Sequence, residues 1–82
     1  MKEDEKLFLM LVYYHKVKYD RFPREVINND VCKTHYKRCW YLLEKWNNKG
    51  WYDYGVTLDL GWLTDEGVEK AKELIEEYQA LT

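Results

Sequence analysis

The chain of 82 residues contains no serine, which excludes catalysis by a serine nucleophile. It has one proline and four glycines, few enough breakers to favour helices. Its longest uninterrupted apolar run, Leu7 to Tyr14, is eight residues, whereas a membrane-spanning helix needs about 20. Two cysteines, Cys32 and Cys39, do not make a disulfide framework. On one helix they would stand about 10 Å apart, beyond the reach of a disulfide. They are expected to be reduced thiols, as in the cytoplasm. The charged opening Met1-Lys2-Glu3-Asp4-Glu5-Lys6 lacks the pattern of a secretory leader, so a cytoplasmic location is expected. Phosphate-binding glycine loops, two-histidine metal helices and recognisable nucleophile–base spacings are also missing. No enzyme activity and no cofactor are therefore expected.

What is present is aromatic and charged. Hydrophobic residues at 46% and charged residues at 34% fit one folded domain spanning 1–82 and argue against disorder. Aromatics reach 17%, a heavy load for so small a core, so some should lie at the surface. The net charge of −2 hides an asymmetry. Residues 1–49 hold 11 Lys/Arg against 7 Asp/Glu, or +4; residues 50–82 hold 2 against 8, or −6. Such polarity can orient a protein on an anionic partner.

Periodicity predicts a mostly helical α+β fold. A first helix is expected over 3–19, with Glu3, Asp4 and Glu5 suited to the positive end of its dipole. Its centre is apolar on every face, so one side should meet the core and another a partner subunit. Pro23 suits the first turn of a short second helix, running to about Asn29. A third helix is expected from about Lys33 to Asn48, with Cys32, Tyr36, Cys39, Leu43 and Trp46 as its apolar stripe and Gly50 as its stop. Strands near 51–55 and 59–63 read as a hairpin. Thr64 then caps a last helix whose apolar stripe is Val68, Ala71, Ile75 and Tyr78, widened by Leu74 and Leu81.

Two stretches carry a family resemblance. Tyr41-Leu42-Leu43-Glu44-Lys45-Trp46-Asn47-Asn48-Lys49-Gly50-Trp51 resembles the exit of a recognition helix. Leu63-Thr64-Asp65-Glu66-Gly67 resembles the leucine-threonine-x-x-glycine run that follows the wing in MarR-like and PadR-like regulators. Together they are similar to the winged helix–turn–helix family over residues 20–80, with three helices, a two-stranded wing and a C-terminal helix. The chain departs from the family in its short wing, which carries Asp53 and Asp59 instead of basic residues, and in a second helix and turn without the usual small residues.

The resemblance implies double-stranded DNA as partner, with the third helix in the major groove and the protein acting as a transcriptional regulator. Lys33, Thr34, His35, Lys37, Arg38, Tyr41 and Lys45 are the candidate contacts there, and Arg21 and Arg24 would hold the backbone. Arg38 suits a guanine edge, whereas Lys33 and Lys37 suit phosphates. The bland alternative is a solvated face. The DNA reading requires this cationic flank to project freely, without carboxylates to neutralise it. A homodimer is expected through Leu7, Leu9, Met10 and Tyr13 of the first helix and Leu74, Tyr78 and Leu81 of the last. The size suits a regulator carried by a phage, archaeal virus or plasmid.

Other clusters admit simpler explanations. Cys32, His35 and Cys39 fall near one helix face and suggest a soft metal, with His15 as a fourth ligand. The cysteines equally fit the core stripe, and no metal is assigned. Trp40, Trp51, Tyr52, Tyr54 and Trp62 should mostly be core, yet tryptophan and tyrosine also mark protein-binding hot spots. The alternative function is accordingly a protein-binding winged helix, in which the aromatic hairpin and acidic pole block a host nucleic-acid enzyme. Glu66, Glu69, Glu73, Glu76 and Glu77 then form either that pole's stripe or a solvated face.

Overall fold

In the computed structural model, residues 1–28 and 35–81 are described. Helix α1 covers Glu3–Tyr19 and ends at Asp20, whose left-handed backbone (φ 54°) lets its N–H bond back to the helix. Helix α2 is Pro23–Ile27, with the proline at the helix start, where a missing N–H is harmless. Helix α3 is Tyr36–Lys49. Strands β1 (Tyr52–Tyr54) and β2 (Gly61–Leu63) pair antiparallel in the register Tyr52↔Leu63, Asp53↔Trp62 and Tyr54↔Gly61. Helix α4 is Asp65–Ala80. The fold is mostly helical with one small antiparallel sheet, as expected. The sheet is shorter than its sequence suggests, because 58–60 coils into a 3-10 turn before β2.

Two small motifs join α3 to the hairpin and to α4. Gly50 stops α3 at φ 82°, where a side chain would be strained. Its carbonyl accepts from the Thr64 hydroxyl at 2.6 Å. That hydroxyl also caps α4 by accepting from the Gly67 N–H at 3.3 Å. Gly67 is required for a different reason: a Cβ there would lie 2.0 Å from the Trp51 carbonyl oxygen. The Leu63–Gly67 run is thus a packing device, holding α4 against the start of the hairpin.

One buried cluster joins all these elements. It includes Phe8, Leu9 and Val12 of α1, Val26 and Ile27 of α2, Cys39, Leu42, Leu43 and Trp46 of α3, Tyr52, Leu58, and Ala71 and Leu74 of α4. Phe8 stacks on Trp46 with ring centres 5.3 Å apart. The buried Tyr52 hydroxyl donates to the Leu58 carbonyl at 2.6 Å and accepts from the Gly61 N–H at 2.9 Å, tying the turn to the strands. Burial pushes its ionisation above the ordinary tyrosine value.

The stripe of α3 differs from the expected one. Leu42 joins the core, whereas Tyr36 is 53% exposed. Cys32 lies outside the described residues. Tyr36 shares the angular position of Leu43 two turns on, but it opens the helix, beyond the point where the core ends. No helix among the described residues is long and apolar enough to cross a membrane.

Candidate recognition surface

Helix α3 is clamped along the edge that faces the start of α1. Glu5 is buried, and its two oxygens are both used: Trp46 Nε1 donates at 2.9 Å and Lys45 Nζ at 2.8 Å. Burial raises this carboxyl, but the hydrogen bonds from Lys45 and Trp46 outweigh it, and the group sits below its ordinary value. Two turns earlier on α3, Arg38 grips Asp4 through two nitrogens, Nε at 2.8 Å and Nη2 at 3.3 Å. The same guanidinium lies 5.3 Å from the Tyr41 ring centre. This bond and charge lower the Asp4 carboxyl and raise Arg38.

A second ion pair anchors α2 to the turn before β2. Arg24 Nε and Nη2 meet Asp59 at 2.7 and 3.2 Å, and Thr57 donates to the same carboxylate at 2.9 Å. Asp59 is buried, so it is not the exposed wing carboxylate that its sequence position suggests. The Arg24 bond, helped by Thr57, holds it below the usual carboxylate range against the opposing effect of burial. Asp53 does face solvent, across the hairpin from the exposed Trp62.

These pairs correct the expected cationic flank. Arg24, Arg38 and Lys45 are each closed onto a carboxylate and do not project free. Arg21 stands 3.5 Å from Glu25 and lies over Tyr19, 4.5 Å from the ring centre. Lys33 and Thr34 fall outside the described residues. His35, Lys37 and Tyr41 are exposed, and Lys37 meets no carboxylate among the described residues. Of the seven DNA candidates among the described residues, His35, Lys37 and Tyr41 stand exposed without an ion pair, Tyr41 lying beneath the Arg38 guanidinium.

The outward side of α3 is instead aromatic. Tyr36, Lys37, Trp40, Tyr41 and Glu44 line a shallow groove. Tyr36 and Tyr41 are 53% and 55% exposed, and the Tyr36 and Trp40 rings meet at 5.9 Å. Trp40 Nε1 is shielded from solvent and has no acceptor among the described residues. A shielded donor without a partner costs about 1–3 kcal/mol. The sequence places both Tyr36 and Trp40 in the core; Trp40 is partly buried and packed against it, whereas Tyr36 is exposed. Their spacing of four, continued by Glu44, was the available signal for a solvent-side row.

The expected dimer surface also needs correction. Leu9 and Leu74 are 0% and 3% exposed within a single chain, so neither is available to a second copy. Helices α1 and α4 pack against each other in the same chain, and the Tyr78 hydroxyl donates to Glu3 at 2.9 Å. Met10 and Tyr13 are partly buried against the core, while Leu7, Tyr78 and Leu81 remain exposed. The Cys32–His35–Cys39 set is incomplete among the described residues because Cys32 is outside them. Cys39 is a core side chain, His35 is exposed, and buried His15 has no partner at Nδ1. Among the described residues no three His, Cys, Asp or Glu side chains gather as metal ligands. Comparison with known proteins adds nothing to this geometry: no family model, curated protein or solved structure matches the chain.

Proposed function

We propose that this chain is a winged helix that recognises another protein through the outward face of α3. The order of three helices, hairpin and helix supports the winged-helix assignment, as do the Gly50 stop and the Thr64–Gly67 junction. The observation that carries the function is the composition of the exposed face. Tyr36, Trp40 and Tyr41 line one groove, the shielded Trp40 donor has no acceptor among the described residues, and the nearby arginine is held by Asp4. Tyrosine, tryptophan and arginine dominate protein-binding hot spots because they bury much area with little loss of side-chain freedom. A partner's carbonyl that met Trp40 Nε1 after a small side-chain shift would recover the cost of the unpaired donor. The wing supports the same reading, since residues 50–69 contain no Lys or Arg to hold a phosphate.

A DNA-binding regulator is the second reading, favoured by open Lys37 and Tyr41 on the half of α3 that would enter a major groove. Exposed ion pairs such as Arg38–Asp4 contribute little, and a phosphate can compete for such an arginine.

One experiment separates the two. A photo-crosslinking residue placed at Tyr36 is used to trap protein partners in cells, and the purified chain is titrated against random duplex DNA at several salt concentrations. The protein reading expects a discrete cross-linked product that disappears in Tyr41→Ala. It also expects no duplex affinity beyond the weak background of any folded protein. Duplex binding that falls steeply with salt and is lost in Lys37→Ala would overturn it in favour of the regulator.

A further inference from the structure

We propose that α1 also carries a self-complementary seam, through which two copies of this chain pair antiparallel about a two-fold axis between Met10 and Leu11. The inference rests on α1 alone and is independent of what α3 recognises.

Helix α1 turns Glu5, Phe8, Leu9, Val12 and His15 into its own chain. The opposite side bears Glu3, Leu7, Met10, Tyr14 and Val17, at spacings of 4, 3, 4 and 3. That is the rhythm of a helix–helix seam. Leu7 and Tyr14 are 48% and 45% exposed, and Val17 is more open still. A leucine, a tyrosine and a valine in one row on a helix whose other side is already buried form a continuous apolar strip, not scattered exposure.

Charge selects a second copy as the occupant. The strip is acidic at its start, where the Glu3 side chain is 78% exposed, and basic at its end, where Lys18 is exposed. Laid antiparallel on itself, the strip brings Glu3 to Lys18 of the partner subunit. Leu7 then meets Tyr14 of the partner subunit, and Met10 meets Leu11 of the partner subunit. Each of these three pairings is apolar with apolar or acid with base and occurs twice, as an isologous two-fold interface demands, while Val17 falls opposite Asp4 of the partner subunit at the open end of the seam. A parallel arrangement would oppose Glu3 to Glu3 and Lys18 to Lys18. The present partners of these charges are exposed and exchangeable: Lys6 at 3.5 Å and the Tyr78 hydroxyl for Glu3, and the Tyr14 hydroxyl at 2.9 Å for Lys18. From Glu3 to Lys18 the seam is about 24 Å long. That is short beside a standard interface, so the dimer should form at micromolar concentrations and above.

Sedimentation equilibrium from about 10 μM to about 1 mM tests this, with circular dichroism confirming that each variant is folded. The wild-type mass should rise towards that of two chains, and Leu7→Glu should hold it at one. Glu3→Lys and Lys18→Glu should each weaken association by about threefold to tenfold, because each creates two like-charge contacts. The double variant should regain wild-type association. A wild-type monomer at the highest concentration overturns the proposal, as does a dimer indifferent to Leu7→Glu. A dimer that survives but gains nothing from the paired charge swap overturns the antiparallel register. Where Leu7→Glu fails to fold, the charge variants decide the matter alone.

Discussion

The two tryptophans of α3, Trp40 and Trp46, are six residues apart and live under opposite rules. Trp46 is fully buried, stacked on Phe8, and its indole N–H is bonded to the buried Glu5 carboxylate. Trp40 is half-buried at the edge of the core, where it lines the outward groove, and its N–H has no acceptor among the described residues. One side of the helix has every polar atom accounted for; the other carries an unmet donor among exposed rings. The contrast separates what holds α3 in place from what α3 has left to offer.

The first test strikes the satisfied side. Trp46→Phe removes the donor, leaves a Glu5 oxygen buried with one bond fewer, and opens space beside Phe8. It should destabilise the fold by about 2–4 kcal/mol. In a domain of this size that lowers the melting temperature by roughly 10–20 °C. A loss under about 1 kcal/mol in a urea melt would show that the Glu5 clamp is not where α3's stability resides.

Glu5 sharpens the comparison through pH. Its folded carboxyl sits below its ordinary value, so its stabilising contribution is present above the unfolded value, about pH 4.3, and is lost as the pH falls towards the lower folded value. Asp4 and Asp59 are lowered in the same direction, and their contributions are lost as the pH falls below their own ordinary value, about 3.9. Stability should therefore decline below about pH 4.5. Glu5→Gln keeps an oxygen for Trp46 but leaves Lys45 without its countercharge. It should cost about 1–3 kcal/mol at neutral pH and flatten part of the acid decline. An unchanged slope in the variant would mean that the decline comes from the other carboxylates alone.

The helices, the hairpin and the junctions between them were legible because they are local. Gly50, Thr64 and Pro23 act on neighbouring residues, so their positions alone announce where elements begin and end. The clamp was not legible. Glu5 reads as a first-turn acid suited to the α1 dipole, and nothing near it in sequence says that Lys45 and Trp46, some forty residues on, will bury it. Asp59 misleads for the same reason, since Arg24 lies 35 residues earlier. The cationic flank was thus over-read: its charges are visible in the sequence, but the carboxylates that answer them come from distant segments. Tyr36 was misplaced by a subtler effect, a repeat of four and three that continues past the point where the core ends.

The smallest effect is expected on the unsatisfied side, and its sign is the informative part. Trp40→Phe removes a donor that the free protein leaves without a partner, while keeping an aromatic ring against Tyr36. The ring shrinks, which gives up apolar contact. The loss of an unpaired, shielded N–H works the other way by a comparable amount. The net change should lie within about 0.5 kcal/mol of zero. The same chemical substitution, made six residues along one helix, then gives a large loss in one place and almost none in the other. A urea melt in which Trp40→Phe is as damaging as Trp46→Phe would mean that the Trp40 donor is paired in solution. The outer face of α3 would then hold no unmet donor to offer a partner's acceptor. If stability holds while the Tyr36 cross-link weakens, the indole N–H serves recognition and not the fold.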